Sequence, residues 1–581
     1  MSVLVNQTVK ELRTAIMEAA GRAVADGEFP EAPLSDFIIE VPANKDNGDY
    51  SSNCAMAWAR CLKSAPRKIA ETIASRLDLS ETFFDRCEIA GPGFMNFYLK
   101  ESFNACIIQD ILEKGGNYGR SDYGNGKKIN IEFVSANPTG PMHMGNARGG
   151  ALGDCLASVM DFAGYDVSRE FYVNDAGNQI EKFGLSLDIR YQQLYKGADA
   201  PELPEDSYHG EDIITRAKEF AEINGDKYID ATEAERRKAL IDYALPKNIA
   251  AMKENLTKYR IEYDTWFLES TLHNGGELAE TLEIMKSNGL TYEKDGALWY
   301  KNKEVLGARL AKEGKTPEEI EKLELKDEVL IRTNGNPTYF AADIAYHRNK
   351  LQIRGFDKAI NIWGADHHGH VARMKGALDA IGCNGDDLDI ILMQLVRLTS
   401  NGEVVRMSKR SGKAITLVDL LEEIPIDAVR FLFNMREPGS QMEFDLDLAV
   451  EQSSQNPVYY CQYAHARICS ILKKLESEGK QPRECTIPEL VLLSAPEEKE
   501  LIRHLASLTD EIVISAKNYD PAKITRYAVD LATLFHKFYN ACRVNCEDEA
   551  LMQARLSLCL CVKNVLRNIL TMFSITVPES M

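Results

Sequence analysis

No stretch of this chain approaches the roughly 20 consecutive apolar residues that a membrane-spanning helix needs. The first residues, Met1-Ser2-Val3-Leu4-Val5-Asn6-Gln7 with Glu11 close behind, hold no basic segment leading into a long apolar core. No secretory signal is therefore expected, and the cytoplasm is the expected compartment. Neither common nucleotide loop is present: there is no Gly-x-x-x-x-Gly-Lys-Ser/Thr, and no Gly-x-Gly-x-x-Gly follows a strand. The 13 cysteines include no Cys-x-x-Cys pair. The nearest spacings, Cys542/Cys546 and Cys559/Cys561, lack the further ligands that zinc requires, so reduced, buried thiols are expected. Positive charge is also scarce. With 68 basic and 88 acidic residues the net charge is −20, which argues against loose binding to polyanions and makes any nucleic-acid contact local. No solenoid repeat or low-complexity tract occurs.

At 581 residues the chain should form three or four domains. Residues 1–120 mix helical patterns with short strands, including a strand, Gly91-Pro92-Gly93 turn and strand between Glu88 and Leu99. A buried strand at Ile129–Val134, a turn-rich loop and an amphipathic helix at Asn146–Phe162 open a doubly wound α/β core over 121–452. Further buried strands are predicted at Lys358–Trp363 and Ile390–Leu398, with a helix at His370–Ile381 between them. Residues of about 185–325 are charged and helical, broken near Asp295-Gly296, and read as an insertion. From 453 onward the periodicity is helical, predicting a bundle. That bundle holds 15 basic and 15 acidic residues, so the whole −20 lies in the first 452 residues. The bundle is where a polyanion is repelled least.

Two loops carry the nucleotide chemistry. Pro138-Thr139-Gly140-Pro141-Met142-His143-Met144-Gly145-Asn146 joins a strand to a helix, whose free N–H groups attract phosphate. Gly145 lets a ligand lie close to the backbone, and His143 can donate to a phosphate oxygen. Arg406-Met407-Ser408-Lys409-Arg410-Ser411-Gly412-Lys413 is a basic loop able to neutralise β- and γ-phosphates as a bond to the α-phosphate breaks. Alone, each has a plain alternative: an Asn-capped strand-to-helix loop and a solvated surface turn. Together, in this order and each after a buried strand, they are far more specific.

The first loop resembles the HIGH signature of class I aminoacyl-tRNA synthetases and the second their KMSKS signature, with Asn146, Arg406 and Arg410 as departures. The surroundings are similar to the arginyl-tRNA synthetase family in particular. They include Phe133-Val134-Ser135-Ala136-Asn137-Pro138-Thr139-Gly140, Tyr172-Val173-Asn174-Asp175-Ala176-Gly177-Asn178-Gln179, Tyr339-Phe340-Ala341-Ala342-Asp343-Ile344-Ala345-Tyr346 and Gly364-Ala365-Asp366-His367-His368-Gly369-His370. Asp427-Ala428-Val429-Arg430 and the run Asn456–Arg467 continue the likeness, which spans Gly48 to Glu579. Ser580 stands where the family usually carries arginine.

The resemblance implies a multidomain α/β protein. Its parts would be an α+β N-terminal domain (1–120) that touches the tRNA elbow, a Rossmann-like parallel-sheet catalytic core with a helical insertion, and an all-α anticodon-binding bundle (453–581). It implies ATP, used with Mg2+ and without a permanently bound cofactor, and L-arginine and tRNA(Arg) as partners, with tRNA bound before arginine is activated. His143, Gly145, Asn146 and Lys409 would be catalytic. ATP would meet those four and Gly364, Asp366, His367, Met407, Ser408 and Arg410.

A guanidinium has five donors and needs carboxylates in fork geometry. Glu132 interrupts an apolar strand and needs a partner if buried. Asp343 lies four residues after Tyr339, one helical turn away. By resemblance Tyr339 and Asp343 hold the guanidinium, Glu132 assists, and Asn137 with His143 grips the amino-acid backbone. A water-facing edge Glu and a helix-surface Tyr/Asp pair are the alternatives from the residues alone. His367, His368 and His370 beside Asp366 invite a zinc reading, but their place at the end of a parallel strand favours a ligand crevice, and no metal site is expected. In the bundle, Tyr459, Tyr460, Tyr463 and Arg467, and Phe535, His536, Lys537, Phe538, Tyr539 and Arg543, interleave aromatics with cations. Aromatics at helical spacing are usually core, so Tyr463 alone is the expected stacking face for an unpaired anticodon base, with Arg467 as a further anticodon-binding candidate. A monomer is the default. The rival readings are another class I synthetase and a tRNA-binding protein that has lost catalysis.

Overall fold

A computed structural model describes residues 3–405 and 415–581. Its centre is a five-stranded parallel sheet: β1 (Lys128–Glu132), β2 (Asp166–Val173), β3 (Thr265–Leu268), β4 (Lys358–Gly364) and β5 (Leu388–Met393), in the order β5-β4-β1-β2-β3. The chain leaves β1 toward β2 and β3, then returns to the other side of β1 for β4. The crevice at the carboxyl ends of β1 and β4 is thus the topological switch point, where such sheets bind ligands. The loop Phe133–Met144 leaves one side of that crevice and Gly364–His370 the other.

The helix after β1, Gly145–Phe162, lies close to the sheet because small residues face it. A Cβ at Gly153 would run into the Phe133 ring, and one at Gly150 would sit 2.8 Å from Ile261 Cδ1. Buried Arg148 on this helix donates to the carbonyls of Gln394 (2.7 Å), Glu437 (3.0 Å) and Ser440 (3.2 Å). Those bonds fix a break in the chain that the sequence does not announce. The single strand predicted over Ile390–Leu398 is in fact two, since β5 ends at Met393 and Val396–Ser400 joins a separate small sheet with Glu403–Val405 and Met442–Asp445. At the break Leu395 is 84% exposed.

The region read as an insertion also differs. It contributes helices Asn178–Lys196, Glu211–Asn224 and Glu233–Lys258, but also β3, the edge strand of the main sheet. The break at Asp295-Gly296 is a two-residue hairpin turn with both φ positive (54° and 73°), as a type I′ turn requires. It joins Thr291–Lys294 to Ala297–Tyr300.

The N-terminal part packs helices on a four-stranded antiparallel sheet around Trp58, Phe84 and Phe97. Its last hairpin turns through Gly91 and Gly93, both at positive φ. The C-terminal part is a bundle of five principal helices, Pro457–Ser477, Pro496–Ala506, Leu508–Asn518, Ala522–Ala541 and Glu549–Met572. Its apolar core is continuous with that of the α/β domain. Asn568 Nδ2 donates to Gly115 O (2.8 Å) and Tyr118 Oη to Leu505 O (3.0 Å), so the connection between the first two parts lies against the bundle. Among the described residues no helix is long and apolar enough to cross a membrane.

Candidate active site

The first signature loop meets the segment that follows the second. Met144 N donates to Ile415 O and Leu417 N to Met142 O, both at 2.9 Å, and His143 bridges Thr416. Residues 415–417 directly follow the basic loop. Met407, Ser408, Lys409 and Arg410 themselves lie outside the described residues. The strand leading into that loop, Glu403–Val405, is held at its turn by Asp447, which accepts from Asn401 N (2.5 Å) and Ser400 Oγ (3.2 Å).

His143 is exposed and its ring is fixed from one side: Nδ1 accepts from Gly145 N at 3.1 Å. In the neutral ring Nε2 then carries the proton and faces outward as a donor. Asn146 caps from the other direction, its Oδ1 accepting from His143 N (3.2 Å). A Cβ at Gly145 would lie 2.9 Å from both Cε1 and Nδ1 of His143. The glycine makes room for the protein's own imidazole. Gly145→Ala is therefore expected to displace the ring and, if the ring takes part in the ATP–pyrophosphate exchange that the resemblance implies, to lower that exchange by about 10- to 100-fold, since small misplacements of reacting groups cost that much. The thermal midpoint should stay at the wild-type value, because His143 is exposed. Exchange at the wild-type rate would remove the ring's orientation from the account.

An open cleft of about 540 Å3 lies over this loop. Val134 to His143 form one wall, with Asn137 exposed to it, and Tyr208, Gly210 and Asp212 from the helical segment after β2 form the other. The backbone bends into the cleft through two left-handed residues, Val134 (φ 69°) and Ser135 (φ 41°). Such a conformation is costly for a β-branched residue and is found where the surroundings enforce it.

Beside the cleft, Asp343, Glu269, Tyr339 and Tyr172 form an acidic group of side chains, the recess. Tyr339 and Asp343 stand one turn apart at the start of helix Tyr339–Arg348, which Thr338 caps by accepting from Ala341 N. Tyr339 is 40% exposed. Asp343 Oδ2 pairs with His370 Nε2 at 3.1 Å, and His370 packs against Phe340 and Trp363. The last histidine of Gly364–His370 thus serves the acid of the recess. Gly364 and Asp366 remain at the carboxyl end of β4, beside the crevice. Among the described residues no group of His, Cys, Asp and Glu is arranged to hold a metal.

The recess has one acid that the sequence reading missed. Glu269, at the end of β3, is 3% exposed. The Tyr172 hydroxyl donates to it, and the Asn174 amide, oriented by its neighbours, donates to its Oε2 at 3.1 Å. Burial first, and then Asp343, raise the Glu269 carboxyl above its usual range. Burial raises the Tyr339 phenol too, with Glu269 adding to it. Two carboxylates sharing a recess this way favour an arriving cation. Asp175 next door accepts from Ser270 N (2.8 Å) and Ser270 Oγ (2.6 Å), fixing the turn after β3. The available signal was an acid closing the apolar run Trp266-Phe267-Leu268, inside a segment read as insertion.

Glu132 has the partner that a buried strand acid needs. It is buried, its Oε2 paired with Lys350 Nζ at 2.6 Å and its Oε1 accepting from Ser135 Oγ at 3.0 Å. Both oxygens are engaged inside the protein.

In the bundle the two aromatic groups come together across helices Pro457–Ser477 and Ala522–Ala541. Tyr463, 40% exposed, stacks on His536 (5.8 Å, 28°), Tyr460 lies 5.2 Å from the same ring, and Arg467 covers Tyr539 at 5.2 Å. Phe535 and Phe538 are core residues and offer no stacking surface.

Three family models match the chain end to end: the arginyl tRNA synthetase N-terminal domain over residues 10–99, the class I (R) tRNA synthetase catalytic domain over 107–468, and the DALR anticodon binding domain over 461–581. Among curated relatives, the arginine–tRNA ligase of Ruminiclostridium cellulolyticum is 54% identical over 572 residues, 98% of each chain. That of Caldanaerobacter subterraneus subsp. tengcongensis is 54% identical over 581 residues, all of each chain. The solved Thermus thermophilus arginyl-tRNA synthetase, 21% identical, shares the fold with a TM-score of 0.70 over 98% of this chain and 100% of its own. The chain therefore belongs to the arginyl-tRNA synthetase family of class I.

Proposed function

We propose that this protein joins L-arginine to tRNA(Arg) at the expense of ATP, with the recess as its amino-acid site and the crevice between β1 and β4 as its nucleotide site. The observation that carries the assignment is the convergence of Asp343, Glu269, Tyr339 and Tyr172 next to the His143 loop. The acids and phenols receive the guanidinium, and Asn137 and His143 take the amino-acid backbone. A carboxylate oxygen of arginine attacks the α-phosphorus of ATP, and the bond to the bridging oxygen of pyrophosphate breaks. The 2′-hydroxyl of the terminal tRNA ribose then attacks the activated carbonyl and AMP leaves. His143 Nε2, Asn146 and the N-terminus of helix Gly145–Phe162 serve the phosphates, with Lys409 and its neighbours in the adjoining loop. Gly364, Asp366 and His367 are assigned to the nucleotide. ATP enters as its magnesium complex, the phosphates supplying the ion's anionic ligands. No covalent enzyme intermediate is needed, since positioning and electrostatics suffice.

Three domains are proposed, 1–120 on the tRNA elbow, 121–452 for catalysis and 453–581 on the anticodon, acting as a cytoplasmic monomer. Tyr463 supplies a stacking face and Arg467 a nearby cation. Tyr463→Ala should weaken tRNA(Arg) binding by about 1–3 kcal/mol, the worth of one stacked base, and leave the KM for arginine and ATP unchanged. Equal tRNA affinity of variant and parent would remove Tyr463 from the interface.

The deciding experiment is ATP–pyrophosphate exchange with each amino acid, with and without total tRNA. Exchange with arginine alone, appearing only when tRNA is added, is the expected result. No exchange under any condition, with tRNA binding intact, would make this a binding protein.

A further inference from the structure

Beneath the recess, helix Tyr339–Arg348 runs into one π-helical turn, Asn349–Ile353, with Arg354 N bonded back to Asn349 O at 2.8 Å. Such turns are rare and concentrate at functional sites. This one swings Lys350 inward until its side chain is fully buried. A buried ammonium is tolerated only if acceptors meet its donors. Nζ donates to Glu132 Oε2 (2.6 Å) and Asn361 Oδ1 (3.1 Å), and stands 4.3 Å over the Tyr346 ring.

Two hydrogen-bond chains leave these acceptors in opposite directions. On one side Ser135 Oγ donates to Glu132 Oε1 (3.0 Å) and accepts from Tyr172 N (3.1 Å), reaching β2 and the cleft loop. On the other, Asn361 Nδ2 donates to His347 Nε2 (2.8 Å), and His347 Nδ1 donates to Asp343 O (2.7 Å). Burial, aided by the Lys350 charge, pushes His347 down to about 4, so the ring is neutral near pH 7 and holds this tautomer. One ammonium is therefore linked, through Glu132 and through Asn361–His347, to Ser135 on one side and Asp343 O on the other.

The charges divide accordingly. Four acids lie in or under the recess. Glu132 has Lys350, and Glu170 has Arg354 with the Tyr346 hydroxyl. Among the described residues Glu269 pairs with His273 (3.4 Å) and Asp343 with His370 (3.1 Å), neither with a Lys or Arg, so their charge is the part of the recess that a substrate cation can answer.

We propose that Lys350 is a positioning and specificity-determining residue for arginine binding: it cancels the charge of Glu132 and, through Asn361–His347 and through Ser135, holds the two walls of the recess at the spacing a guanidinium needs. This rests on the recess being the arginine site. Lys350→Met would strand Glu132 among the Tyr346, Tyr172 and Tyr263 phenols, with Arg354 the remaining nearby cation among the described residues. A carboxylate left in such surroundings is pushed toward its protonated form.

The test is steady-state kinetics on wild type, Lys350→Met, Glu132→Gln and the double variant. Lys350→Met should raise the arginine KM by about 10- to 100-fold, with the ATP KM unchanged. Its arginine KM should acquire a pH dependence that the double variant lacks. If Lys350→Met does not fold, the double variant decides, because removing both charges of a buried pair costs far less than removing one. Its arginine KM should then exceed that of Glu132→Gln. An arginine KM equal to the matching parent's, or an equal rise in the ATP KM, would overturn the proposal. Failure of the wild type to charge tRNA with arginine would instead overturn the function.

Discussion

Replacing Asp343 by alanine should lower kcat/KM for arginine by about a thousandfold, which corresponds to about 4 kcal/mol. The carboxylate is 32% exposed and contributes little to folding, because its helix is anchored by Phe340, Ile344 and Tyr346. Its value lies in the complex. A guanidinium brought out of water must find acceptors for its donors, and a missing carboxylate leaves a charge unpaired in a partly buried site. The guanidinium is remote from the reacting carboxylate, so most of the loss should appear in KM; any fall in kcat reports arginine held off line. The ATP KM should not move. Asp343→Asn separates charge from shape. It keeps an oxygen for His370 Nε2 but gives up the anion, so it should narrow the preference for arginine over its neutral isostere citrulline. A variant that retained that preference would place guanidinium recognition on Glu269 alone.

Whether such residues can be read from sequence depends on how local their partners are. His143, Gly145 and Asn146 are legible because strand end, tight loop and helix start lie within a few residues, and their mutual bonds span two or three positions. Tyr339 and Asp343 are legible for the same reason, one turn apart on a helix whose start is marked by Thr338. Lys350 meets Glu132 across 218 positions, and nothing near either residue announces the other. Without that partner Glu132 reads as a substrate ligand. Glu269 was hidden by its setting: β3 has only four residues and sits among charged helices, so an edge strand passed for part of an insertion. The long apolar run after Ile390 reads as one strand because the bonds that break it come from Arg148, 246 positions earlier. Core strands, helix faces and the bundle need no distant partner to be recognised, since periodicity alone reports a buried face.

Arg430→Ala should destabilise the protein by about 3–5 kcal/mol, the cost of removing one member of a buried ion pair. Arg430 is fully buried where three parts of the chain join. Its guanidinium pairs with Asp154 on the helix that begins at Gly145, and donates to Tyr259 O (3.0 Å) after the long helix Glu233–Lys258 and to Phe573 O (2.7 Å) at the end of the bundle. Alanine would leave Asp154 with Arg169 as its remaining ion-pair partner and would strip two buried carbonyls of a donor. Asp427 one turn earlier works at the same junction, accepting from Arg260 (2.6 Å), Gln462 (2.9 Å) and Thr576 N (3.0 Å). Because these bonds tie the α/β core to the bundle, the loss should also change the form of unfolding. Urea denaturation of the wild type should show core and bundle melting together, and the variant should show the bundle separating first. Arg430→Met with Asp154→Asn removes both charges and should recover a large part of the stability, as replacements of whole buried pairs do. A variant unfolding at the wild-type urea concentration, in one step, would mean that the apolar core shared by the two domains holds them together without this clasp.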